Sequence, residues 1–264
     1  MSSDLVLTDV DRRGIATVTI NRAEVNNAYN GDMIEGFLSA FGQIAKDPQA
    51  RVVVLRGKGK HFQAGADLKW IMSLKASDWE ANLAVSQATT DAVRGLNEFS
   101  KPTIALIHGG CFGGGVGIAS SCDIVIASED AFFAITEAKW GLMAAPIYPQ
   151  LIARLGVANT RRYSLTCERF NAQKALEIGL VDEVCATGKL DETAAPLIDQ
   201  LLDCPPNALA ESKASILECA GLIIDDARAA YLAEPHARKR LTDEATEGLN
   251  SFIEKRSPSW RPTP

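Results

Sequence analysis

The sequence has only three histidines, His61, His108 and His236, and no cysteine pair in a CxxC arrangement. Transition metals in proteins are usually held by clusters of such side chains at fixed spacing, so we expect no metal site. The six cysteines are scattered through a 264-residue chain. This distribution favours reduced thiols and a cytoplasmic protein over a disulfide framework.

Long hydrophobic runs and basic clusters are also missing. No stretch of 18 apolar residues occurs, which argues against a membrane-spanning helix. The N-terminus carries acids and lacks the pattern of a secretory or transit peptide, so we expect no targeting segment. The formal net charge is −6. Nucleic-acid-binding proteins usually carry a basic surface, and we therefore expect neither nucleic acid nor membrane among the partners.

The glycine-rich stretch FGGGVGIASSCD, residues 112–123, matches none of the common nucleotide or hydrolase motifs. The dinucleotide-binding pattern GxGxxG fails because Ile118 or Ser120 stands where its third glycine should be. No GK[ST] or GxSxG motif is present either. What remains is a strand, a glycine turn and a helix start. Free N–H groups at such a turn can hold an oxyanion or a phosphate, or the glycines can simply allow tight packing.

Strands and helices alternate through about the first 180 residues, and helices dominate the rest. This order predicts an α/β core, residues 1–190, followed by a helical C-terminal subdomain, residues 191–264. Apolar and β-branched runs predict strands within residues 5–20, 51–57, 101–110, 123–128 and 179–185. Helical spacing predicts helices over about residues 32–46, 78–99, 189–203, 205–223 and 226–256.

A second turn of the same kind lies earlier, in HFQAGADLKW. Gly65 permits a sharp reversal, and a helix is predicted to start at Ala66 and Asp67. Two strand-to-helix turns that both end in free N–H groups can hold one oxygen between them. A thioester carbonyl that becomes an enolate would gain several kcal/mol from two such donors.

HFQAGADLK, together with IHGGCFGGGVGIASSCDIVIASEDAFFAITEAKWGL, resembles the crotonase, or enoyl-CoA hydratase/isomerase, superfamily. The resemblance covers nearly the whole chain. It implies a crotonase (ClpP-like) spiral of ββα units, with C-terminal helices that serve oligomerisation and active-site closure, and a homotrimer or homohexamer. Among subgroups, FGGGVG followed by RRYSLT is most similar to the bacterial methylglutaconyl-CoA hydratases of leucine degradation.

The resemblance also assigns roles by position. The N–H groups of Ala66 and Gly114 would form the oxyanion hole. Coenzyme A would enter as part of the acyl-CoA substrate, and no other cofactor is expected. The residues that would line the bound thioester are Val25, Ala64, Asp67, Leu68, Lys69 and Gly113.

Hydratases of this family commonly use two glutamates, and this chain has only the second. Gly117 occupies the first position and Glu137 the second. One carboxylate can still take a proton from water and deliver it to carbon, if apolar surroundings raise its pKa towards neutrality. A single carboxylate also suffices for a double-bond shift. Hydration of a 2-enoyl-CoA is the favoured function, and an enoyl-CoA isomerase or a CoA-ester-binding protein without turnover remain alternatives.

The segment MAAPIYPQL is bulkier than the small, glycine-rich segment of many relatives. Ile147 and Tyr148 should therefore reshape the acyl pocket. Tyr148 can donate a hydrogen bond or simply pack. A dicarboxylate thioester such as 3-methylglutaconyl-CoA would need a cation, and Lys139 is the nearest candidate in sequence.

Overall fold

A six-stranded sheet lies at the centre of the computed structural model, which describes residues 4–262. The outermost residues of the two predicted segments, 1–3 and 263–264, lie outside the described part. The strands in spatial order are β1 (Val6–Val10), β2 (Ile15–Ile20), β3 (Val52–Gly57), β4 (Thr103–Ile107), β6 (Ile124–Ser128) and β9 (Glu183–Cys185). The first pair is antiparallel and the other neighbours are parallel.

Both faces of the central strands are covered, which explains their unbroken apolar sequences. Val53, Leu55, Ala105, Ile107 and Val125 point into the larger core. Their neighbours along the strands point into a second core on the opposite face, as expected for side chains that alternate along a strand. That second core contains Val52, Val54, Ile104, Leu106 and Ile126, together with Leu190, Ala194 and Ile198.

A smaller three-stranded sheet carries the glycine-rich stretch. It consists of β5 (Gly110–Phe112), β7 (Phe132–Ala134) and β8 (Phe170–Asn171). β5 and β7 are parallel, and β7 and β8 are antiparallel. β5 runs directly into the helix α4 (Gly114–Ser121), so the predicted order of strand, turn and helix is confirmed.

The remaining helices are α1 (Gly31–Lys46), α2 (Leu68–Ser73), α3 (Trp79–Asn97), α5 (Tyr148–Thr166), α6 (Ala172–Glu177), α7 (Leu190–Asp203), α8 (Pro206–Cys219), α9 (Asp226–Arg240) and α10 (Asp243–Ile253). The predicted helices near 32–46 and 78–99 are confirmed as α1 and α3. Each begins after a side chain that accepts a hydrogen bond from the first turn, Asn30 from the Met33 N–H (3.1 Å) and Asp78 from the Ala81 N–H (2.8 Å). No helix of residues 4–262 is both long and apolar enough to cross a bilayer.

The C-terminal helices differ in detail from the prediction. Residues 226–256 form two helices rather than one, because the Thr242 hydroxyl accepts a hydrogen bond from the Ala245 N–H (3.2 Å) and starts a new helix. The helix predicted over 205–223 ends at Cys219. α7 shares the second core with the sheet, while α9 packs along α3. The division into units 1–190 and 191–264 stays a prediction.

Candidate active site

The nine residues predicted to form the oxyanion hole, to transfer the proton or to line the thioester all lie in the wall of one cavity of about 800 Å³. They come from parts of the chain that are far apart in sequence: the turn before α1, the loop before α2, the start of α4 and the segment after β7. The residues are Val25, Ala64, Ala66, Asp67, Leu68, Lys69, Gly113, Gly114 and Glu137.

The two glycine turns run side by side in parallel register. The Gln63 N–H donates to the Gly110 carbonyl (3.2 Å), and the Phe112 N–H donates to the Gln63 carbonyl (2.9 Å). This bridge pairs Gln63 with Cys111. Beyond this bridge the two turns remain close, since a Cβ added to Gly65 would lie 3.7 Å from Gly113 Cα, and the two predicted oxyanion donors directly follow these glycines.

Each donor follows a glycine in the left-handed region. Gly65 has a φ of 85° and precedes Ala66, and Gly113 has a φ of 51° and precedes Gly114. A Cβ on Gly65 would lie only 3.1 Å from the Phe112 carbonyl oxygen. Glycine is therefore required here both for the backbone conformation and for the close approach of the two turns.

The N–H groups of Ala66 and Gly114 have no acceptor within residues 4–262. The backbone N–H of Tyr29 donates to the Gly65 carbonyl, and the backbone carbonyl of Tyr29 accepts from the Asp67 N–H, both at 2.8 Å. In such a parallel bridge the intervening Ala66 N–H points away from its partner strand. Gly114 is the first residue of α4, where N–H groups have no partner inside the helix. Both donors are available to an external oxygen.

The Glu137 carboxyl lies directly against this arrangement. A Cβ placed on Gly113 would be 2.9 Å from Glu137 Oε1. Glu137 Oε2 is buried and has no hydrogen-bond partner within the described residues. Burial raises the pKa of Glu137 to about 7, and the backbone N–H groups of Glu137 and Thr136 oppose that rise in part. Near neutral pH the side chain can therefore both accept and release a proton.

The space beside Gly117 is filled. A Cβ at this position would lie 2.2 Å from Cγ2 and 2.9 Å from Cβ of Ile147, which is buried in the cavity wall. A larger side chain at Gly117 is thus incompatible with Ile147 in its present place. The glycine at position 117, where relatives carry the first glutamate, and the bulky Ile147 after WGL are therefore packed against each other.

Tyr29 is a cavity residue that the sequence did not single out. The Tyr29 ring lies against Gly114, where an added Cβ would be 2.6 Å from Tyr29 Cε1. The Tyr29 and Trp70 rings pack edge to face at a centroid distance of 6.0 Å. Burial raises the pKa of the Tyr29 hydroxyl, and the nearby Glu137 carboxylate raises it further. The only sequence signal was the turn NNAYN, which does not show that this ring contacts the second turn.

His236 and Arg240 of α9 are two further cavity residues that sequence reasoning missed. The Arg240 guanidinium donates to the Asn82 carbonyl (2.7 Å), and the Ser86 hydroxyl lies 3.0 Å from His236 Nδ1. Burial lowers the pKa of His236 to about 3 and that of Arg240 to about 10. At neutral pH the imidazole is uncharged and the guanidinium is charged.

Several other candidates have visible structural roles. The Asp67 carboxylate accepts from the N–H groups of Lys69 and Trp70, so the helix begins one residue later than expected, and it also pairs with Arg22 (2.9 Å). Lys69 is exposed at the cavity rim. Lys139 is exposed too, with Nζ 5.2 Å from the centre of the Trp140 ring.

Tyr148 is half-buried at the start of α5 and is not part of the cavity wall. Within residues 4–262 no three His, Cys, Asp or Glu side chains are grouped so that they could hold a metal ion.

Comparison with known proteins extends over nearly the whole chain. Residues 11–263 match the family model described as enoyl-CoA hydratase/isomerase. A short-chain-enoyl-CoA hydratase of Clostridium acetobutylicum is 33% identical over 92% of this chain and 92% of its own. A peroxisomal Δ(3,5)-Δ(2,4)-dienoyl-CoA isomerase of Arabidopsis thaliana is 29% identical over 92% of this chain and 90% of its own.

A solved structure of an enoyl-CoA hydratase from Mycobacterium avium superimposes with a TM-score of 0.86 at 33% identity. It covers 97% of this chain and 99% of its own. The α/β core with a helical C-terminal region that the sequence predicted is therefore confirmed.

Proposed function

The chain belongs to the enoyl-CoA hydratase/isomerase family, and from this premise we propose that it catalyses the reversible addition of water to a 2-enoyl-CoA thioester. The observation that carries the proposal is the position of Glu137. Its carboxyl lies against the turn that presents the free N–H of Gly114, and the turn that presents the free N–H of Ala66 closely approaches that same turn. One cavity thus contains a proton carrier next to two donors for one oxygen.

The two N–H groups act on the thioester carbonyl. When water adds at the β carbon, negative charge moves onto the carbonyl oxygen as an enolate. Donors that already point at that oxygen stabilise the charge without reorganising, and loss of one such donor typically costs about 3–4 kcal/mol of transition-state stabilisation. Ala66 and Gly114 supply these donors through the backbone, so their side chains need no reactive group.

Glu137 then accounts for both proton transfers. Its carboxylate takes a proton from the attacking water, whose oxygen bonds to the β carbon, and the resulting carboxylic acid gives that proton to the α carbon. A pKa near 7 suits a group that must be base and acid in turn. The chemistry uses no group beyond this side chain, the two N–H groups and the coenzyme A of the substrate.

For the acyl group, we propose 3-methylglutaconyl-CoA as a candidate, which would give the enzyme a place in leucine degradation. Its support is the similarity of FGGGVG and RRYSLT to the methylglutaconyl-CoA hydratases. We further propose a cytoplasmic homotrimer or homohexamer. Large apolar side chains exposed on α5, including Val157 and Leu165, support an assembly that covers them.

An enoyl-CoA isomerase is the second candidate, and two observations favour it. Ile147 fills the space where a first glutamate would project from position 117, which leaves one carboxylate. One carboxylate is enough to remove an α proton and return it at the γ carbon. A dienoyl-CoA isomerase is also among the relatives.

The test follows the absorbance of the conjugated thioester and identifies the product. With 2-enoyl-CoA we expect loss of absorbance and a 3-hydroxyacyl-CoA product. Glu137→Gln should lower kcat about 10²–10⁴-fold while a saturated acyl-CoA still binds. Glu35→Gln, a matched change of an exposed α1 residue, should have no effect.

Conversion of a 3-enoyl-CoA to its conjugated isomer without water addition would select the isomerase instead. Full activity of Glu137→Gln would exclude both reactions as described.

A further inference from the structure

Arg240 is a buried cation that has no carboxylate partner among residues 4–262. Its side chain is only 4% exposed. The guanidinium donates to the Asn82 carbonyl (2.7 Å) and lies 3.3 Å from His236 Nδ1, while its Nε has no partner within residues 4–262. In the described part of the chain Arg240 forms no ion pair, although 14 other pairs are present there.

The surroundings of Arg240 add no compensating charge. α3 presents Asn82, Ser86 and Thr89, all of which are uncharged, and His236 is neutral. A charge this far from water is costly unless something pairs with it. No carboxylate within residues 4–262 pairs with Arg240, and its guanidinium lines the cavity, so an anionic group bound in the cavity would stabilise this charge.

The position of Arg240 distinguishes it from cations at the cavity entrance. The entrance side carries the exposed residues Val25 and Lys69. The charge of Glu137 raises the pKa of the Tyr29 hydroxyl, and the charge of Arg240 lowers that pKa. Arg240 and His236 are both buried, so this cation lies at an enclosed part of the cavity and not at its exposed rim. A group that reaches it is attached to the acyl chain and is not part of the coenzyme.

We propose that Arg240 binds a carboxylate at the far end of the acyl chain, so that the preferred substrate is the monothioester of a dicarboxylic acid. A guanidinium is the side chain best suited to a carboxylate because its N–H groups can donate to both oxygens. This assignment replaces Lys139, which is exposed and lies over Trp140. It rests on the proposed function only in that the ligand is an acyl-CoA.

The test measures binding and needs no turnover. The dissociation constants of succinyl-, glutaryl- and adipyl-CoA are compared with those of butyryl-, pentanoyl- and hexanoyl-CoA, which have the same chain lengths and no terminal charge. These saturated thioesters cannot be hydrated, so failure of the hydratase proposal leaves this result intact. We expect at least one dicarboxylyl thioester to bind about 30-fold or more tightly than its uncharged counterpart.

Variants then locate the cation. In Arg240→Gln the dissociation constants of the dicarboxylyl thioester and its uncharged counterpart should become nearly equal, while the affinity for the uncharged thioester is kept. Arg240→Lys should retain part of the preference for the dicarboxylyl thioester. Arg238→Gln is the matched control, because Arg238 lies on the same helix but is exposed and paired with Glu234. It should leave the ratio unchanged.

Equal affinities for both series in the wild-type protein would overturn the proposal. So would a preference that survives Arg240→Gln or one that disappears only in Lys139→Gln. If Arg240→Gln binds no thioester at all, the proposal is judged on the wild-type protein and on Arg240→Lys. A folded Arg240→Lys protein that binds charged and uncharged thioesters equally would count against the proposal.

Discussion

Glu137 has a proton affinity set almost entirely by where its carboxyl lies. Burial removes the water that would stabilise the charged form, and Oε2 has no donor to replace it within the described residues. Partial compensation by two backbone N–H groups keeps the pKa near 7 rather than higher. A carboxyl group with a pKa near the ambient pH gains or loses a proton at little cost in free energy.

This pKa predicts a pH profile with one ionisation. Glu137 must be a carboxylate when water attacks, so kcat/KM for hydration should rise with pH through about 7 and then level off. A pair of catalytic carboxylates in different protonation states would give a bell-shaped profile instead. The measurement is kcat/KM between pH 5 and 9, and a descending limb below pH 9 would argue against a single carrier.

At the scale of elements, the contact between α4 and the segment before α5 decides how many carboxylates the site can hold. A side chain added at Gly117 would collide with Ile147, so a larger residue at position 117 requires a change at position 147. In the sequence the two residues are separate departures from the family pattern. Only their packing shows that they are coupled.

Gly117→Ala should lower the free energy of unfolding by about 1–3 kcal/mol, because the new methyl group meets Ile147. In an Ile147→Ala background the cost should be smaller, since Cγ2 and Cδ1 are gone. Gly95→Ala in α3 is the control: nothing lies within 4 Å of its added Cβ, and it should be neutral or stabilising by up to about 1 kcal/mol. Denaturant unfolding of all four variants checks this, and additive single and double changes would show that the two sites are independent.

The packing of α9 on α3 should make stability depend on acidity. The unfolded chain protonates His236 near its ordinary pKa of 6.5, whereas the folded protein resists protonation down to about pH 3. Stability contributed by the neutral imidazole is therefore present above pH 6.5 and is lost as pH falls, by about 2 kcal/mol at pH 5. His236→Gln should lose less stability than wild type between pH 7 and pH 5 in denaturant titrations. Equal losses would contradict the assignment.

At the scale of the whole molecule, the cavity draws its wall from α1, α3, α4, α9 and α10 and from the loops between them. Two C-terminal helices contribute to this wall: α9 supplies His236 and Arg240, and α10 supplies Phe252 and Ile253. Residues distant in sequence thereby define this part of the cavity wall.

The apolar side chains that remain exposed predict an assembly of several chains. Light scattering after gel filtration should give a mass three or six times the 28.3 kDa of one chain. Association is expected because burial of residues such as Val157 and Leu165 removes apolar surface from water. A single-chain mass at micromolar concentration would contradict it.

The sequence alone determined features that depend on neighbours along the chain. Local patterns predict the glycine turns at Gly65 and Gly113, the strand and helix that flank the second turn, and the apolar setting of Glu137. The prediction that Ala66 and Gly114 are oxyanion donors comes from the family resemblance. The capping threonine that divides the last long helical segment could also have been noticed, because Thr242 precedes acidic residues typical of a helix start.

Only the tertiary structure decided which distant residues meet. Three features are contacts between separate segments: the close approach of the turns that precede Ala66 and Gly114, the contact of Tyr29 with Gly114, and the filling of the space beside Gly117 by Ile147. The charge of Arg240 was plain in the sequence, but its burial without a carboxylate partner depends on how α9 packs on α3. Local periodicity shows which face of a helix is apolar, and it contains no information on what that face will contact.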